Sequence, residues 1–469
     1  MEKVNLTKKQ LAGLFIGILG LAIPFFLNIE GLSYAGHVAL GIFLLAASFW
    51  MLEPVPIYAT SVLVILLQIL LLSKEGFIFN TATETYIPDA YTAFIGTLAN
   101  PIIILFLGGF VLADAAVKYN LDKNLTRILL RPFGSKPKYI VLGLMVVTGL
   151  LSAFMSNTAT TAMMMTVIIP IIVQLDKSDP LKIGLALSIP FAANIGGIAT
   201  PIGTPPNAVV IGALSQQGIN IPFGEWMALA VPLVVIALIF VWLLLIKMFK
   251  PDTDSIALDM SGTFNTSKNA LILYLAFGLT VLFWVTESFH GIKSAIIALV
   301  PVVFLTLTGV VTKEDIRKLP WEVLWLVAGG ISLGISMKST GLAEWIVGSI
   351  EWSAFGAITL LVVFSAVAVL MSNFLSNTVT ATLLIPLAIS LATSGVAGEG
   401  FNLIIVSLVI GVSASMAMML PISTPPNAIA ISTGTIETSS MAKAGITVGL
   451  FGILLVVLYA IFYWPLMLN

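Results

Sequence analysis

The chain has 469 residues, 59% of them hydrophobic and 9% charged, with a net charge of −1 at pH 7 and a mean hydropathy of +1.09. A soluble domain carries about 25% charged residues, so the composition excludes one and defines a polytopic membrane protein. The absence of cysteine removes disulfides, thiolate metal sites and cysteine nucleophiles, the two histidines (His37 and His290) are too far apart in sequence to form a metal cluster, and no basic tract points to nucleic acid.

Apolar runs of about 20 residues cross a bilayer as helices. The opening MEKVNLTKKQ leads into a run reaching residue 28. That run is too long for a signal peptide and lacks a small-residue cleavage site, so it reads as a retained first span. Further spans follow near 36–52, 56–73, 99–117, 183–211 (interrupted), 225–246, 269–286, 293–311, 321–338, 402–431 (interrupted) and 445–466. This makes eleven. Two other apolar segments, 139–175 and 352–394, each divide into two arms too short to cross. They read as re-entrant helical hairpins that enter and leave on one side. With this count, Lys74, Lys293 and Lys338 are the only ones of the 21 Lys and Arg residues placed opposite the N-terminus. The positive-inside rule therefore places the N-terminus in the cytoplasm, with the chain multi-pass in a cell inner (plasma) membrane.

Residues 251–267 form the one sizeable polar linker in the middle of the chain, and the two sides match. MSNTATTA at 155–162 returns as LSNTVTAT at 375–382. IATPIGTPPNAVVI at 198–211 returns as MMLPISTPPNAIAI at 418–431. Ser152 and Lys118 return as Ser372 and Lys338, all at an offset of 220 residues. This is an internal duplication: residues 1–35 precede it, 36–250 and 268–469 are its copies, and 251–267 is a cytoplasmic linker. Five crossings separate the two Ser-Asn-Thr clusters. An odd number inverts the second copy, so the two hairpins enter from opposite faces and their tips meet near the midplane.

Each Ser-Asn-Thr lies where one arm ends and the next helix begins. One such cluster alone is an ordinary helix cap. Its free backbone N–H groups and the positive end of the helix dipole also make an anion site. Each Thr-Pro-Pro-Asn breaks a span, because consecutive prolines cannot continue a helix. The break frees carbonyls, which are hard oxygen ligands for an alkali cation, and starts a new half-helix. No Lys, Arg, His, Asp or Glu lies in either tip or either break. A buried dianion there would need bound cations to offset its charge, so cation-coupled transport is the physical expectation. Asp114 reads as a helix-end partner of Lys118. The pairs Gly108-Gly109 and Gly329-Gly330 read as close helix packing.

In these motifs, SNTAT at 156–160, SNTVT at 376–380 and TPPN at 204–207 and 424–427, the chain resembles the divalent anion/sodium symporter family along essentially its whole length. The resemblance implies an all-α elevator-type transporter with eleven spans, two hairpins and inverted repeats, assembled as a homodimer. A scaffold of about 10–118 and 268–345 would hold a moving transport domain of about 135–250 and 352–469. By motif, Ser156, Asn157, Thr158, Thr204, Ser376, Asn377, Thr378 and Thr424 would bind substrate. One sodium site would use Ser152, Ser156, Asn157 and the backbone near Gly203. A second would use Ser372, Asn377 and the backbone near Ser423.

Two facing anion cradles suit a substrate with two anionic ends, a C4-dicarboxylate such as succinate, malate or fumarate. Sodium would be the coupling ion. The alternatives are sulfate or citrate transport, sodium-independent dicarboxylate exchange, or an ion antiporter; the last is more readily marked by an intramembrane acid pair, which the motifs lack. An intramembrane enzyme would need a base–nucleophile pair or metal ligands in the apolar core, and the motifs offer neither.

Overall fold

The computed structural model describes residues 7–27, 29–77, 86–176, 178–256, 264–398 and 400–468. Apart from loops, turns and one isolated bridge between Ser73 and Asp89, these residues are helical. The first span, Lys8–Phe26, begins with a capping box in which Thr7 and Gln10 bond reciprocally. The next helices are Tyr34–Leu52, Ile57–Leu72 and Pro101–Lys118. The two interrupted spans are helix pairs: Leu181–Gly196 with Pro205–Gln216, and Leu403–Ser415 with Pro425–Ser432. Phe223–Met248, Lys268–Val285, Trp321–Ser339 and Thr438–Leu458 are continuous, whereas the span expected at 293–311 is divided into Ser294–Ile297 and Leu299–Leu307. Much of the linker, residues 257–263, lies outside the described residues.

Both hairpins are present. The first has arms Pro137–Ser152 and Asn157–Gln174, and the second has arms Ala357–Phe374 and Asn377–Ser394. In each, the two arms pack on one another. Three of the four arms, Asn157–Gln174, Ala357–Phe374 and Asn377–Ser394, have 18 residues and are long and apolar enough to cross a bilayer, longer than the arms the sequence suggested.

Two short helices were not expected. Leu121–Leu130 follows Asn120, whose φ is 57°, and Leu342–Gly348 follows Gly341, whose φ is 73°. The second helix turns 67° away from Trp321–Ser339. A left-handed residue thus precedes the short helix in both copies, one position apart at the 220-residue offset, just before each hairpin.

The glycine pairs are packing positions. A Cβ on Gly108 would lie 2.3 Å from the Ala298 carbonyl oxygen, and one on Gly329 would lie 2.6 Å from Ser61 Cβ. Gly109 faces Ile202 and Gly330 faces Thr382, so the second glycine of each pair meets an element carrying a repeated motif.

The expected Asp114–Lys118 pairing is not formed. Lys118 Nζ instead lies 2.5 Å from Asp315 Oδ2 and donates to the Val310 carbonyl at 3.0 Å. Asp315 is the N3 residue of a capping box on Lys313–Arg317, which presents its carboxylate across the loop to the end of the span. Burial works to raise the Asp315 pKa, but the bonds from Lys118 and Thr312 outweigh it and hold the carboxyl below its ordinary value.

Because the Ala298 obstacle is backbone, Gly108→Ala should cost about 1–3 kcal/mol by overpacking. Gly278→Ala, where nothing lies within 4 Å of the added methyl, should be neutral. Thermal unfolding of the purified protein in detergent reads both.

Candidate functional site

The hairpin tips and the span breaks converge on one cavity of about 460 Å³. All eight residues expected to bind substrate line it: Ser156, Asn157, Thr158, Thr204, Ser376, Asn377, Thr378 and Thr424. Gly203 and Ser423 line it as well, whereas Ser152 and Ser372 lie fully buried behind the tips. The inverted repeat has thus brought residues 220 positions apart to opposite walls of one chamber.

Four helices start at this cavity. Ser156 Oγ accepts from Ala159 N at 3.5 Å, Ser376 Oγ from Val379 N at 3.2 Å, and Thr424 Oγ1 from Asn427 N at 3.3 Å. Thr204 precedes Pro205–Gln216 without a side-chain cap bond, so its hydroxyl is not held by its own helix. The first N–H groups of a helix have no partner within it. The two hairpin-tip starts supply free backbone donors; the two Pro-Pro starts have no N–H in their first two positions and add partial positive charge and the Thr204 and Thr424 hydroxyls, all without a cationic side chain. Glu322 is the one charged residue on the lining, at the edge formed by Pro320, Glu322 and Val323.

Each break is held by one asparagine. Asn207 Nδ2 lies 2.7 Å from the Thr200 carbonyl, 3.1 Å from Gly197 and 3.3 Å from Ile198. Asn427 Nδ2 does the same for Leu420 at 3.0 Å and Met418 at 3.2 Å. These carbonyls lie in the segments where the helical ladder has already ended, ahead of each proline pair, and the amides gather them. Asn194 Nδ2 reaches across to Thr424 Oγ1 at 3.0 Å and so ties the two breaks together.

The two halves differ behind the tips. In the first, Ser152 Oγ lies 2.6 Å from Asn157 Oδ1 and 2.8 Å from the Ala193 carbonyl, and Thr200 Oγ1 donates to the Ala153 carbonyl. Gly203 and Gly197 are packed so closely that a Cβ on Gly197 would lie 2.6 Å from Asn157 Oδ1 and 2.9 Å from the Gly203 carbonyl. The Ser152 hydroxyl, the Asn157 side-chain oxygen and the Gly203 carbonyl therefore lie close together. In the second half Asn373 replaces Ala153, Leu420 replaces Thr200 and Ser423 replaces Gly203. Asn373 Oδ1 accepts from Met419 N at 2.8 Å and lies 3.2 Å from Ser423 Oγ. Ser372 Oγ and Asn377 Oδ1, the counterparts of the bonded Ser152 and Asn157, are buried with no hydrogen-bond partner. The second half therefore leaves unsatisfied the counterparts of the two oxygens that bond to each other in the first half.

Sequence reasoning missed Asn194, Asn207, Asn373, Asn427 and Glu322. Asn207 and Asn427 were visible as the fourth letter of each Thr-Pro-Pro-Asn, but the motif alone does not say that the amide satisfies broken backbone. Asn194 and Asn373 have Ala414 and Ala153 at the matching positions, so the repeat gave no signal. Glu322 reaches the cavity only through helix packing.

A charge-poor chamber between paired broken helices and opposed hairpins, in a multi-pass chain with inverted halves, is the architecture of a secondary transporter. Comparison with known proteins agrees. The family model described as "Citrate transporter" (CitMHS) matches residues 47–411. The sodium-dependent dicarboxylate transporter SdcS of Staphylococcus saprophyticus is 31% identical over 98% of this chain and 92% of its own length. The SdcS of Staphylococcus aureus is 31% identical over 100% of this chain and 94% of its own length. The crystal structure of the Alcanivorax borkumensis YdaH transporter, described as having an unusual topology, shares the fold with a TM-score of 0.55, covering 87% of this chain and 98% of that one at 13% identity. The chain belongs to the citrate transporter family and, within it, to the divalent anion/sodium symporters that its paired motifs resemble. It is a transporter and not an enzyme.

Replacing Asn207 by Ala removes the donor that gathers the Gly197, Ile198 and Thr200 carbonyls, at about 1–3 kcal/mol. Asn207→Ala should lower the melting temperature of the purified protein. A variant of unchanged stability would remove the assigned role of the amide.

Proposed function

We propose that the protein imports C4-dicarboxylates together with sodium across the cell membrane. The observation that carries this is the pairing of two anion cradles on one cavity whose lining holds no Lys, Arg or His. One carboxylate of the substrate sits at Ser156, Asn157 and Thr158, and the other at Ser376, Asn377 and Thr378. Thr204 and Thr424 line the space between. Helix starts and neutral donors alone do not balance two buried negative charges. Sodium travels with the substrate and supplies the balance. One ion is held by Ser152, Ser156, Asn157 and the Gly203 backbone, where oxygens crowd together. The other is held by Ser372, Asn377 and the Ser423 backbone, where Ser372 Oγ and Asn377 Oδ1 lack partners. The names of the staphylococcal relatives support both the substrate class and the ion.

Access alternates by movement of the transport domain, about 135–250 and 352–469, along a scaffold of about 10–118 and 268–345. Two copies form a dimer, with the N-terminus of each in the cytoplasm. Citrate is the second reading, favoured by the description of the family. Glu322 at the cavity edge disfavours a third negative charge there, so the dicarboxylate is preferred.

Uptake of labelled succinate into proteoliposomes tests the reading. Replacing sodium by choline should reduce uptake at least tenfold, and succinate/succinate exchange undiminished under the same conditions would instead define a sodium-independent exchanger. Asn157→Ala and Asn377→Ala should each abolish uptake while the protein still elutes as a monodisperse dimer. Normal transport by either variant would overturn the two-cradle assignment. Unlabelled citrate and sulfate should compete more weakly than malate or fumarate.

A further inference from the structure

Side-chain bonds join the proposed scaffold to the proposed transport domain toward the far end of Trp321–Ser339. Lys338 Nζ donates to Gln217 Oε1 at 2.8 Å, and next to it Gln216 Nε2 donates to the Ile331 carbonyl at 3.1 Å. Gln216 ends, and Gln217 caps, the half-helix whose other end forms part of the cavity wall. The near end of the same span carries Glu322 and Val323 on the cavity lining. A helix of 19 residues separates its ends by about 27 Å. The two bodies are therefore tied at the Lys338 end, while the cavity edge lies toward the other.

The repeat assigns each partner of the Lys338–Gln217 bond a counterpart. Moving 220 residues along the chain converts Lys338 to Lys118 and Gln217 to Glu437. Lys118 ends Pro101–Lys118 as Lys338 nearly ends Trp321–Ser339. Glu437 lies in the connection after Pro425–Ser432, as Gln217 lies in the one after Pro205–Gln216. In this structure the counterparts are apart. Lys118 is held by Asp315 and the Val310 carbonyl. Glu437 is exposed and accepts from Ser439 Oγ at 3.2 Å. Inversion of the second copy places the two pairs on opposite sides of the membrane.

We propose that Lys118 and Glu437 form the opposite latch. When the transport domain moves to its other position, Lys338 releases Gln217 and Glu437 closes on Lys118, which then lies between Glu437 and Asp315. This rests on the moving-domain reading given above. The halves exchange conformations between the two states, so a contact present in one copy here belongs to the other copy there. The latches are unequal. Gln217 offers the lysine ammonium a neutral acceptor and Glu437 would offer it an ionised one, so the opposite latch adds a charge–charge attraction to the charge-assisted bond that both latches share. Glu437 thereby favours the state not seen here, and Gln217 leaves the present state easier to leave.

The chain has no cysteine, so paired cysteines can be introduced without background. Partners joined through two long side chains stand too far apart for a direct disulfide, which needs Cα atoms within about 7 Å. A reversible bis-methanethiosulfonate linker bridges them. Q217C/K338C and K118C/E437C would be treated in membrane vesicles with sodium, with and without succinate. Each pair should link, each link should stop uptake at least tenfold, and reductant should restore it. On the Q217C/K338C background, E437Q should raise the linking rate several-fold by depopulating the opposite state. Glu437 is exposed, so this arm still reads where replacing Lys118 loosens the Asp315 loop.

If Q217C/K338C links and stops uptake but K118C/E437C does not link, the opposite latch is wrong and the moving domain stands. If both pairs link and uptake is undiminished, the moving-domain reading fails and the latch with it. An unchanged linking rate in E437Q removes Glu437 from the balance between states.

Discussion

The structure depends on one constraint: backbone polar groups inside a bilayer must find partners within the protein. A continuous helix meets it automatically. This chain breaks helices at four places near its centre, two at hairpin tips and two at proline pairs, and must repair each break. Ser156 and Ser376 cap the tips, and Asn207 and Asn427 gather carbonyls of the unwound segments ahead of each proline pair. All four breaks border a single cavity. What would be a defect in a simple span is here the supply of donors and acceptors for a polar cargo.

The same constraint explains why the site has so little fixed charge. A lysine or arginine held at this depth would be costly when the cargo is absent. Helix starts and amides carry only partial charge and stay satisfied enough to be buried empty. Glu322 fits this picture because it stands at the edge of the cavity and not among the donors.

The two halves are similar but not interchangeable. Asn373, Leu420 and Ser423 build a side-chain network where Ala153, Thr200 and Gly203 bring backbone close to backbone. The first half crowds oxygens through glycine, and the second leaves Ser372 Oγ and Asn377 Oδ1 unclaimed. The latch region repeats the lesson, with Gln217 in one copy where Glu437 stands in the other. Duplication supplied the architecture, and single substitutions since then have made the two ends and the two cradles chemically different.

The sequence by itself determined the spans, the two hairpins, the duplication and the residues at the tips. Each of these depends on local pattern: hydrophobic length, proline pairs, caps and a constant offset. It also determined that the site lacks cationic side chains. It did not determine who bonds with whom. Lys118 chose Asp315 over Asp114 because a capping box 197 residues away points a carboxylate at it. Asn194 reached Thr424, Glu322 reached the cavity edge, and Ser372 lost the partner that Ser152 keeps, all through the packing of distant helices. Periodicity fixes which face of a helix is apolar, but contacts across helices depend on crossing positions and on the direction in which each broken segment restarts, and only the tertiary structure decides those.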